Sequence, residues 1–125
     1  MLKATAAAAA LTLITLVAVA ATSAAPAAPA NGVLATPAGA TLYTYDKDAA
    51  NSGKSVCNAQ CATNWPPLAA QASDTASGDF SIVTRDDGSK QWAWKGWPLY
   101  TFAKDAKAGD TTGDGKGNVW HVIKG

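Results

Sequence analysis

Three side chains could hold a soft metal ion or cycle between thiol and disulfide: Cys57 and Cys61, the only two cysteines, and His121, the only histidine. Two thiolates and one imidazole are a donor set that suits Cu(I). In an exported chain the default for the same pair is a disulfide. A loop that short removes little chain entropy, so such a bridge staples only its own segment. The residues therefore offer a local staple, with no metal or other cofactor, or a copper-binding or thiol-redox centre of Cys57, Cys61 and His121.

Tyrosine, an aromatic and an aspartate recur at fixed spacing. Leu42-Tyr43-Thr44-Tyr45-Asp46-Lys47-Asp48 returns as Leu99-Tyr100-Thr101-Phe102-Ala103-Lys104-Asp105, and a glycine stands three residues before each leucine, Gly39 and Gly96. Each copy runs on to a tryptophan, Trp65 and Trp120. The repeat motif is thus Tyr43, Tyr45 and Asp48 in one copy and Tyr100, Phe102 and Asp105 in the other. A duplicated unit of this length is one supersecondary element that buries its apolar face against its copy. The spacing predicts that Tyr43 matches Tyr100, Asp48 matches Asp105 and Trp65 matches Trp120, each aspartate ending its strand by accepting backbone N–H groups.

Trp92 and Trp94 stand two apart and share one face of a strand. In the packing reading they join Trp97 and Trp120 in the core, because a small domain poor in Leu, Ile and Val needs large aromatic side chains to hold together. The alternative makes Trp92, Trp94 and Trp97 an aromatic platform that stacks on carbohydrate or on a partner. The run from Asp110 to Asn118 has the oxygen side chains and glycines of a calcium loop, but its twelfth position is His121 where a bidentate glutamate is required. It reads as a solvated turn. No nucleophile, acid or glycine-rich phosphate loop is spaced to work with His121, so no catalysis is expected.

The elements that must position these groups follow from patterning. Residues 1–30 read as a secretory signal: Lys3, an alanine-rich apolar run, then small residues and prolines that place cleavage within residues 24–30. Alanine is too weakly hydrophobic to make this run a lasting membrane anchor, and the reading places the protein in the periplasm or secreted. Without Lys3 the 10 basic residues become 9, equal to the 9 acidic ones. A neutral chain has no electrostatic case for nucleic acid. The partner is then an unidentified extracytoplasmic protein or small ligand.

All the acids are aspartate, a turn and cap former, which favours strands joined by loops. Asp86-Asp87-Gly88-Ser89 between two alternating segments, 80–85 and 91–95, is a hairpin signal. A hairpin is also expected from Val33-Leu34-Ala35 through Gly39 to residues 41–45, with a closing strand over 119–123 and at most one short helix near Val56 to Thr63. The fold class is all-β, small and mostly antiparallel: one domain over 31–125, built of two pseudo-repeated β units at about 32–70 and 89–125, joined by a linker and strand at 71–88.

The paired Tyr-x-aromatic-x-x-Asp motifs, Trp65-Pro66-Pro67-Leu68, Gly96-x-Pro98-Leu99-Tyr100 and the glycine and aspartate run before Trp120-His121 resemble the bacterial secreted-repeat family, predicted lipoproteins with this motif. The resemblance implies a two-unit exported architecture and no particular activity, hence a binding or structural module. A lipoprotein needs a cysteine just after its leader, and here the first is Cys57, so the chain is expected to be soluble. The Cys-x-x-x-Cys pair with a distant histidine also resembles the copper site of the Sco copper chaperones, from which it departs by Ala62 in place of a proline and by lacking the thioredoxin-like order of elements.

Overall fold

The computed structural model describes residues 25–124; most of the expected leader, residues 1–24, lies outside them. The described chain has eight short strands, β1 (Ala28–Ala30), β2 (Val33–Ala35), β3 (Tyr43–Tyr45), β4 (Ala69–Ala70), β5 (Phe80–Thr84), β6 (Lys90–Trp94), β7 (Trp97–Pro98) and β8 (Trp120–Val122), with one helix, α1 (Gln60–Asn64), between β3 and β4. All strand pairs are antiparallel. The fold is all-β, as the patterning predicts, and the Asp-Gly turn joins β5 to β6 in the register Ile82 opposite Trp92.

Two strands extend the expected repeats at their amino-terminal ends. Strand β1 and the buried Ala27 fall among residues assigned to the leader, yet β1 pairs with β2 across Asn31-Gly32. In the second unit the corresponding hairpin is β5–β6, so β5 opens that unit rather than serving as a linker. The Ala-Pro-Ala composition of β1, whose three residues are all exposed, reads as leader.

The two units are not laid side by side; they exchange their closing strands. Strand β8, from the second unit, pairs with β3 of the first, with Tyr43 opposite Val122. The first unit's segment after Trp65 pairs in return with the second, placing Pro67 opposite Tyr100 and Ala69 opposite Gln91. The backbone bonds come in matched sets. Leu34 N–H donates to Ile123 and Trp92 N–H to Leu68; Asp46 N–H donates to Val119 and Ala103 N–H to Asn64. At the centre Tyr43 and Tyr100 exchange both backbone bonds, N···O 2.8 and 3.0 Å. A pseudo-two-fold axis passes between these two tyrosines.

Period two then builds two cores from one strand. Leu42 and Leu99 point into one, with Leu34, Trp92 and Ile123; Tyr43 and Tyr100 point into the other, with Trp65, Phe102, Trp120 and Cys57. The glycines that open each motif are explained by the exchange. Gly39 has φ +95° and its missing Cβ would strike Ala108, while Gly96 has φ +87° and its Cβ would strike Asn51. Each glycine lies against the loop of the other unit, where no side chain fits and the left-handed backbone favours none.

Candidate functional site

The duplicated motif residues meet across the axis. Tyr43 Oη donates to Asp105 Oδ2 at 2.6 Å, and Tyr100 Oη donates to Asp48 Oδ2 at 2.7 Å. Each tyrosine bonds the aspartate of the other unit. The second carboxylate oxygens accept backbone N–H groups as the sequence suggested, Asp48 from Val56 at 2.7 Å and Asp105 from Thr112 at 2.9 Å. The motif is therefore a clasp: the aspartate shapes its own loop and holds the partner unit's tyrosine.

Around the clasp four rings form one continuous stack in the order Tyr45, Trp120, Trp65, Phe102, with centroid separations of 4.2, 3.8 and 4.1 Å. Tyr43 meets Trp65 edge-on at 5.3 Å and Tyr100 meets Trp120 edge-on at 5.2 Å, so the negative ring faces are met by positive edges at both ends of the axis. Trp65 and Trp120 occupy equivalent places, which is the match the repeat spacing predicts. Trp120 is buried, as expected.

Burial and the adjacent carboxylates push the ionisation of both motif tyrosines well above the ordinary 10.0. Groups with raised folded-state values stabilise the protein fully below the unfolded value and lose that contribution as pH rises past it. The free energy of unfolding should thus fall steeply above about pH 10, where unfolded tyrosine ionises. Chemical denaturation across that range checks this, and Tyr43→Phe or Tyr100→Phe should flatten the fall; an unchanged slope in both variants would refute the crossed clasp as its origin.

The clasps are not chemically equal. Asp48 is buried, whereas Asp105 is half-buried, and the Asp48 side carries a cation the sequence reading passed over. Arg85, the only arginine in the chain, is buried beside it. Its Nη1 donates to Gln91 Oε1 at 2.7 Å and to Ser55 Oγ at 3.0 Å, and its Nη2 donates to the Cys57 carbonyl. Ser55 Oγ accepts from Arg85 and from Cys57 N–H, so its own proton is available to Tyr100 Oη, whose proton goes to Asp48. Burial raises the Asp48 carboxyl, opposed by Val56 N–H, Tyr100 and the charge of Arg85. The signal was present in the alternation: Arg85 follows Val83 by two, on a face that both β5 and β6 bury.

Cys57 and Cys61 form a disulfide that ties α1, which contains Cys61, to the preceding loop, and Cys57 is fully buried. His121 lies on β8, where its Nε2 is 2.8 Å from Asp46 Oδ2 and both side chains are close to half exposed. The three proposed copper ligands are not brought together, and among the described residues no three His, Cys, Asp or Glu side chains cluster as metal donors. The two sulfurs are bonded to each other and the imidazole pairs with a carboxylate just after β3, so the three side chains form no joint donor set. In the calcium-like loop, Asp110 accepts the N–H groups of Ala106 and Lys107 and Asp114 that of Val122, so these carboxylates are spent on turns.

The three tryptophans of the aromatic platform are not equally placed. Trp92 is buried and meets Phe80 at right angles, ring centroids 6.2 Å apart. Trp94 and Trp97, paired across the Lys95-Gly96 turn, are half-buried. Trp94 lines a cleft of about 740 Å³ between the sheet and the loop over residues 73–79. Phe80, Trp92 and Trp94 line it on the sheet side; Asp74, Ser77 and Asp79 line it on the loop side. Its size falls within the range of roughly 300–1,000 Å³ common to small-molecule sites. Ala25 and Pro26 also border it.

A family model described as a secreted repeat of unknown function matches residues 27–69 and 81–124. Its two segments coincide with the two strand-exchanged units, the second beginning inside β5. No curated protein and no solved structure matches the chain.

Proposed function

The chain belongs to the secreted-repeat family, and from that premise we propose that it is an exported binding module, without catalysis, whose ligand seats in the cleft over Phe80, Trp92 and Trp94. The single observation that carries this reading is the composition of the cleft. It combines an aromatic floor with carboxylate and hydroxyl groups on a loop that belongs to neither repeat. Elsewhere the chemistry-bearing side chains hold the fold: the motif tyrosines and aspartates clasp the units, Arg85 ties β5 to the Cys57 loop, and the cysteines are bonded to one another. The protein's place of action is the periplasm or the medium beyond it.

A fluorine-labelled fragment library screened by NMR against the intact protein tests the proposal. Fragments should bind at the cleft and be lost in Trp94→Ala, whose half-buried ring lies outside the clasp and the four-ring stack. A library that finds no binder, or binders indifferent to Trp94, would overturn it.

A further inference from the structure

Taking that cleft as the binding site, we infer that its ligand is a neutral saccharide. The charge of the lining removes the other classes in turn. Asp74 and Asp79 line the cleft and no lysine or arginine does, so an anion would meet two carboxylates without a counter-charge. A small cation would meet the carboxylates but leave the broad aromatic surface of Phe80 and Trp94 and the Ser77 hydroxyl without a partner. A wholly apolar molecule would strip water from the hydroxyl of Ser77 and the carboxylate of Asp79 and return no hydrogen bond.

A sugar ring meets every demand of this lining. Its axial C–H face lies on Trp94 and Phe80, and its hydroxyls donate to Asp79 and exchange hydrogen bonds with Ser77. The floor is rigid, because Phe80 and Trp94 are paired in register across β5 and β6 and Trp92 beside them is part of the core. The loop is exposed over most of residues 71–79, leaving its polar groups open to an incoming chain. A rigid aromatic floor beneath an exposed polar rim preorganises stacking while hydroxyl contacts select among sugars.

The test titrates the intact protein with chitohexaose, xylohexaose and maltohexaose, following the tryptophan indole N–H signals by NMR, beside oligogalacturonate as the acidic probe and fully deacetylated chitohexaose as the cationic one. At least one neutral oligosaccharide should bind and shift the Trp94 signal, with affinity reduced at least tenfold in Trp94→Ala and severalfold in Asp79→Ala. The second variant alters an exposed loop residue and keeps the test decisive if the first fails to fold. Tighter binding of the acidic or the cationic oligomer, or neutral binding that neither variant weakens, would overturn the inference. Fragments that bind at the cleft while no neutral oligosaccharide does would overturn the saccharide and leave the binding module standing. Failure of fragments and oligosaccharides alike would overturn both.

Discussion

Trp120→Ala should lower the free energy of unfolding by about 3–5 kcal/mol, the cost of emptying a large aromatic site. A domain of this size has roughly 5–15 kcal/mol in all. Trp120 stacks on Tyr45 on one side and on Trp65 on the other and meets Tyr100 at right angles, so alanine leaves three rings facing a void. Because the stack crosses the axis, Trp65→Ala empties the equivalent place and should cost a similar amount. Urea melts followed by near-ultraviolet circular dichroism separate this from its rival. Crossed units lose stability together in one transition; independent units would give a second transition that Trp120→Ala does not move.

The other large effect is expected at Arg85, where methionine should cost about 3–5 kcal/mol, the range for removing one member of a buried charged network. Methionine fills much of the volume but leaves Gln91 Oε1, Ser55 Oγ and the Cys57 carbonyl without their donor. It also takes away the positive charge that helps keep Asp48 ionised. Asp48→Asn in the same chain should recover part of the loss, and Arg85→Lys should not, because a single ammonium cannot reach the acceptors the guanidinium fork spans. Thermal melts of the single and double variants measure the coupling. An Arg85→Met midpoint equal to the parent's would mean that the network contributes nothing.

The contrast between Trp94 and Trp120 shows what the sequence could carry. Alternation placed both correctly on strands, and the Asp-Gly turn located the β5–β6 hairpin with its ends to within a residue. Whether a strand face is buried depends on what covers it, and that is a property of pairing between distant segments. Trp120 is covered by the other unit's stack, while Trp94 ends β6 facing the 73–79 loop across the cleft. The clasp was half legible for the same reason. Local spacing revealed that Asp48 and Asp105 accept from their own loops, while the tyrosines they hold come from the opposite unit. Arg85 was missed because an arginine at a strand end reads as solvent-facing unless its acceptors, drawn from residues 55–58 and 91, are already known to surround it.

The exchange of closing strands also sets when the molecule can fold. The first strand pair is not sealed by its neighbours in sequence: Leu34 awaits Ile123, Val33 awaits Lys124, and Tyr43 awaits both Tyr100 and Val122. These are pairings of high sequence separation, which form late because chain entropy must be lost before the contact is gained. The first unit is therefore left open until residues 119–124 are present to pair with it, so the order of the strands makes the closure of the amino-terminal unit wait on a segment more than 70 residues further along the chain.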